Sequence, residues 1–107
     1  MFTRIVKCHV KPEQRDEVEN RLRNEVLSVL QKQPGFVDLI ALESEDETER
    51  LVAISFWNTK HDAERYHREH YPRVAEMLKP YLKRDPKVET FTVGQSTVHR
   101  ISAGKAA

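Results

Sequence analysis

The sequence predicts an α+β fold of the ferredoxin-like plan, β-α-β-β-α-β, with a four-stranded antiparallel sheet and two helices on one face. Two observations carry this. The apolar period switches from two to about 3.6 and back, twice, along the chain. Pro34-Gly35 and the acidic run Glu45–Glu49 punctuate it where a helix and a strand should stop. A chain of 107 residues holds one such core and not two.

Residues 3–11 read as the first strand, with Val6, Cys8 and Val10 on one face and Ile5 on the other. Pro12 then opens a helix at its first turn, and Glu13, Asp16 and Glu17 complement the positive end of its dipole. Val18, Leu22, Val26, Leu27, Val29 and Leu30 form one apolar stripe reaching residue 32. Phe36–Ser44 is the second strand and Arg50–Trp57 the third. Thr59 with Asp62 has capping-box spacing, with Asp where Glu or Gln is usual. The second helix runs from Lys60 towards Leu82, with Pro72 kinking or restarting it and Pro80 loosening its end. Lys87–Val93 is the last strand. Residues 1–93 thus form the domain. The tail, 94–107, has Val98 and Ile101 as its large apolar residues. Its stretch from Ser96 to Ile101 is expected to extend along a partner chain, with the final residues loose.

Strand two is apolar on both faces (Val37, Leu39 and Ala41; Ile40 and Leu42), and so is strand three (Leu51, Ala53, Ser55 and Trp57; Val52, Ile54 and Phe56). A sheet with one face in water alternates apolar and polar. Helices cover only one face, so a homodimer packed sheet to sheet is expected.

Composition excludes several classes. Eighteen Lys plus Arg against 17 Asp plus Glu leave no field to attract nucleic acid or an anionic membrane. Cys8 is the single cysteine, so neither an intrachain disulfide nor a Cys-based zinc site arises. There is no apolar run of membrane-span length, and the opening Met-Phe-Thr-Arg has no signal-peptide h-region, so a cytoplasmic protein is expected. The three glycines, at 35, 94 and 104, build no phosphate-cradling loop. Strand three lacks the glycine and inner aromatics of the RNA-recognition module, and strand one has only Phe2.

The candidate chemistry lies at the second helix. Tyr66, His67, His70 and Tyr71 cluster there, with His67 and Tyr71 four apart, as are Tyr66 and His70. A histidine pair lacks a third ligand, so no metal is expected. His67 or His70 is the candidate proton-transfer group, because imidazole titrates near neutrality. Trp57, beside the small Ala53 and Ser55, is the candidate wall and N–H donor of a pocket for a planar ligand. That pocket is expected between the sheet and the second helix, bounded by Trp57, Tyr66, His67 and His70. A solvated helix face and an ordinary core tryptophan are the competing readings.

Lys11-Pro12 after strand one, the Pro34-Gly35-Phe36 turn, Phe56-Trp57 followed by a polar cap, and His67 on the second helix together resemble the antibiotic biosynthesis monooxygenase (ABM) superfamily of dimeric α/β barrels. The resemblance covers roughly residues 3–93. It implies a cofactor-independent monooxygenase acting on a small aromatic or quinol substrate; on the reading of the second helix given above, His67 or His70 would be catalytic and Trp57, Tyr66 and Tyr71 substrate-binding. The alternative is a non-catalytic dimeric ligand-binding or stress-associated domain. The places where the haem-degrading branch carries its second tryptophan and ligating histidine hold Tyr66 and Glu76, or, one residue on, His67 and Met77. Haem is therefore not expected. The asparagine and tyrosine of the polyketide-oxidising branch are replaced by Ala53 and Ala63, so only the tryptophan carries over.

Overall fold

A computed structural model describes residues 1–101. Strand β1 (Phe2–His9) is followed by α1 (Arg15–Arg21), a π-helical turn (Leu22–Val26) and α2 (Leu27–Gln31). Then come β2 (Phe36–Glu43), β3 (Arg50–Trp57), α3 (Lys60–Glu69), α4 (Tyr71–Leu78), a 3₁₀ turn (Lys79–Tyr81) and β4 (Lys87–Thr92). All neighbours in the sheet are antiparallel, in the order β2-β3-β1-β4. This is the ferredoxin-like plan. No helix among the described residues is long and apolar enough to cross a membrane.

Register decides which residues meet the helices. Leu51, Ala53, Ser55 and Trp57 of β3 lie opposite Cys8, Val6, Arg4 and Phe2 of β1. Leu39 and Ala41 of β2 join the same face opposite Ser55 and Ala53. Against it pack Val18, Val26, Leu30, Ala63, Tyr66, Val74 and Leu78 to form the core. The register slips between Phe36 and Asp38, so Val37 has no partner on β3; a bulge of this kind bends a strand and increases its twist. The opposite face shows Ile5, Ile40, Val52, Ile54 and Phe56, and Ile40, Leu42 and Phe91 are exposed.

Two local expectations are corrected and a third is resolved between its two alternatives. The first helix begins at Arg15 and not at Pro12. Glu13 takes a left-handed φ of 71°, and the Gln14 N–H donates to the Lys11 carbonyl, which makes residues 11–14 a turn. The same helix is not one regular stripe, because its middle widens into a π turn at Leu22–Val26. The long second helix breaks at His70, and Pro72 sits in the first turn of α4, where a missing N–H costs nothing. Proline restarts the helix here.

Other local signals hold. Thr59 caps α3, accepting from the Asp62 N–H at 3.1 Å and donating its hydroxyl to the Asp62 carboxylate at 2.9 Å. Gly35 turns the chain at φ 80°, and a Cβ there would lie 2.1 Å from Asp62 Oδ2 and 2.7 Å from Asp62 Cβ. Gly35→Ala is expected to destabilise by about 1–3 kcal/mol through left-handed strain and displacement of the capping Asp62. Urea unfolding measures it, and an unchanged midpoint would refute the clash.

The described part of the tail folds back on itself. Ser96 and Ile101 exchange backbone hydrogen bonds at 2.6 and 2.8 Å, Arg100 adopts φ 56°, and His99 packs on Phe56 with ring centroids 4.8 Å apart. The stretch expected to be extended is therefore a tight turn lying on the outer sheet face, with Val98 79% exposed. Residues 102–107, expected to be loose, lie outside the described residues.

Candidate functional site

Alternation along β1 puts Arg4 on the helix-facing side with Val6 and Cys8, opposite Ser55. The side chain is 3% exposed. Its guanidinium carbon lies 5.1 Å from the Tyr66 ring centroid and 4.7 Å from that of Tyr71. Nη2 stands 2.9 Å from His67 Nδ1. Guanidinium only donates. His67 Nδ1 therefore accepts, and the imidazole is neutral with its proton on Nε2. Burial first, and the Arg4 charge second, lower the His67 pKa and agree with that assignment.

Arg4 has no carboxylate within ion-pair distance among the described residues. The ion-paired cations Lys7, Arg15, Arg21, Lys60, Arg65, Lys83 and Lys87 have partly exposed side chains. The effective cost of burying an ion is several kcal/mol, while a desolvated cation–π contact returns about 2 kcal/mol. Burial accordingly lowers the Arg4 pKa, opposed by the two tyrosines. Arg4 remains a cation at neutral pH because guanidinium starts so far above it.

Two spaces meet at Arg4. A narrow apolar cavity of about 50 Å³ lies between sheet and helices, lined by Val6, Ala53, Ser55, Tyr66, Tyr71 and Val74 among others. An open groove of about 350 Å³ is lined by Phe2, Lys60, Ala63, Glu64, His67, Val88 and Thr90. Arg4 alone lines both. An apolar cavity of about 150 Å³ takes up benzene, so a space a third of that size does not hold an aromatic ring. The groove does.

Of the residues expected at the site, His67 lines the groove, and Tyr66 and Tyr71 line the cavity. Trp57 and His70 line neither. One α-helical residue turns the side chain by about 100°, so with Ala63 and Tyr66 facing the core, His67 stands on the flank of α3. His70 ends that helix. Trp57 has no exposure. Its indole N–H donates to Ser55 Oγ at 2.9 Å, Tyr66 stacks on it at 5.2 Å and 28°, and Phe36 meets it edge-on at 5.6 Å. The expected cavity touching Trp57 with a histidine beside it is thus replaced by a row. Trp57 backs Tyr66, His70 stacks at 6.4 Å on Tyr66, and His67 stacks at 5.2 Å on Tyr71.

Burial pushes the Tyr66 hydroxyl up to about 12 and raises that of Tyr71, so both stay protonated donors. Burial also pushes the Cys8 thiol up to about 11, which leaves almost no thiolate for nucleophilic chemistry. Among the described residues no three of His, Cys, Asp and Glu are grouped to hold a metal ion. Sequence reading did not single out Arg4. Its signal was the two-residue alternation with Val6 and Cys8, which places a cation on the core face.

The ferredoxin-like sheet thus carries a buried cation between an apolar cavity and an open groove. The family model for antibiotic biosynthesis monooxygenase matches residues 1–76, and the chain belongs to that family. SnoaB, a cofactor-independent oxygenase from Streptomyces nogalater, is similar in structure over 90% of this chain and 95% of its own, at 21% identity and a TM-score of 0.74. A conserved protein from Methanosarcina mazei Go1 is 22% identical, covering 85% of this chain and 91% of its own with a TM-score of 0.72. Rv0793 from Mycobacterium tuberculosis is 15% identical, with coverage of 90% and 97% and a TM-score of 0.75. At these identities the likeness shows the fold. No curated protein matches the sequence.

Proposed function

We propose that the protein is a cofactor-independent monooxygenase acting on a small aromatic or quinol substrate seated in the groove beside Arg4. The observation that supports this reading is the neutral His67 imidazole in the groove, with Nδ1 held 2.9 Å from a buried cation. Phe2, Ala63 and Val88 offer the ring apolar contact. As Arg4 turns Nη2 onto the substrate oxygen, His67 Nδ1 is released to take the substrate's proton. The guanidinium then stabilises the oxyanion in a poorly solvated place. The electron-rich anion passes an electron to O₂, and the resulting pair combines at carbon. For an activated methylene the balance is CH₂ + O₂ → C=O + H₂O, and the substrate supplies all the electrons.

Tyr66 and Tyr71 cover the Arg4 guanidinium with their rings, and Trp57 and His70 stack on Tyr66. His67 is the catalytic base in this proposal, and His70 supports it through Tyr66. The working form is a homodimer, its outer sheet faces packed together, because Ile40, Leu42 and Phe91 stand exposed there in the single chain.

Oxygen uptake with a panel of hydroquinones and anthrones tests the proposal. The expected result is uptake by the wild type that falls 10²-fold or more in His67→Ala, in the range of about 10²–10⁴ that a general base contributes. Ligand binding without uptake across the panel would leave a non-catalytic ligand-binding domain.

A further inference from the structure

We propose that the groove selects for an oxyanion, whether brought in already ionised or formed there by proton loss to His67: a planar ring carrying a phenolate, enolate or carboxylate oxygen, with Arg4 as the anchor. The inference shares its groove with the oxygenase reading and is independent of the oxygen chemistry.

Arg4 is a deeply buried cation without a carboxylate among the described residues, and it lines both the small cavity and the open groove. Tyr66 and Tyr71 cover the guanidinium with ring surface, and His67 takes Nη2. None of these brings a negative charge. A methionine would fill the same space between the rings without burying an ion, so packing alone does not require a guanidinium. The carboxylate nearest in the lining, Glu64, already faces Lys60 at 3.7 Å on the outer helix surface. The groove therefore holds Arg4 and Lys60 against one carboxylate, and a single anionic oxygen completes the balance. The guanidinium edge is a planar fork suited to a carboxylate or a phenolate. The neutral His67 beside it does not compete for that anion, since Nδ1 presents a lone pair to Arg4.

Anaerobic titration calorimetry with matched one-ring probes tests the proposal: benzoate against benzamide, and dinitrophenolate against dinitroanisole. For the wild type, each anion is expected to bind about tenfold or more tightly than its neutral partner, as a charge-assisted hydrogen bond gives. Benzoate should also raise the melting temperature of the wild type. Arg4→Met should lose both the preference and the benzoate-induced shift while melting, without ligand, at or above the wild-type temperature. Should Arg4→Met not fold, Arg4→Gln keeps a neutral donor in place and is expected to lose the same preference. Equal binding of anion and neutral partner by the wild type would overturn the proposal. So would an anion preference that persists in Arg4→Met or Arg4→Gln. Anion binding without oxygen uptake supports this inference while refuting the oxygenase reading, and the two are thereby separable.

Discussion

Replacing Trp57 with alanine is expected to cost about 3–5 kcal/mol, the range for truncating a large buried aromatic. The indole has no exposure, stacks on Tyr66, meets Phe36 edge-on and closes the end of β3. Its N–H satisfies Ser55 Oγ, and the Ser55 carbonyl accepts the Thr3 hydroxyl at 2.8 Å, so β1 and β3 are tied at the same point. A domain of this size has a total stability of about 5–15 kcal/mol. The loss should therefore lower the melting temperature by more than about 10 °C. Trp57→Phe keeps most of the volume and forfeits the hydrogen bond to Ser55, an effect of about 1 kcal/mol. Urea unfolding of both variants separates stacking and volume from the hydrogen bond. A Trp57→Ala loss below about 1 kcal/mol would show that Trp57 does not hold Tyr66 and the strand end as described.

Ile54→Asp is expected to convert the protein to an unfolded or unstable monomer at micromolar concentration. Ile54 lies in the interior of the sheet, between Ile5 of β1 and Ile40 of β2, on the face away from the helices. In a single chain Ile54 is partly exposed on that face, and an aspartate there would be solvated at modest cost. Against a second sheet the same carboxylate loses its solvent without gaining a partner, which costs several kcal/mol. Obligate dimers often have no stable folded monomer, so dissociation and unfolding should coincide. Sedimentation at several concentrations, followed by far-UV circular dichroism, gives both readings. A variant that sediments and melts like the wild type would refute the sheet-to-sheet pairing. So would a wild type that is a stable monomer.

The aromatic and histidine cluster around Arg4 was legible in the sequence by residue name. Tyr66, His67 and Tyr71 do converge on one place, because positions four apart share a helical face and the stacking survives the break at His70. What periodicity could not supply was the direction of each side chain about the helix axis. One residue separates the buried Tyr66 from the groove-facing His67, and the turn of about 100° between them decides which lines the cavity and which the groove. Arg4 was passed over because a charged residue near a strand's start reads as solvated, and only its 63-residue-distant contact with His67 shows otherwise. Trp57 was expected to offer its N–H to a ligand, but Ser55, two residues before it on the same strand face, takes that hydrogen bond.

By itself the sequence determined the β-α-β-β-α-β order, the Gly35 turn, the Thr59 cap and the doubly apolar central strands, since each follows from a local period or a local steric rule. Tertiary structure alone decided that the first helix starts at Arg15, that Pro72 begins a new helix, and that the tail turns back over Phe56. It also decided that Arg4 is buried between a small cavity and an open groove with no carboxylate beside it among the described residues. The physical reason is common to all four. Helix starts, breaks and tail paths depend on which neighbours satisfy a segment's backbone and apolar groups. The charge state of a buried site depends on which side chains do not arrive there, and those relations join residues far apart in the chain.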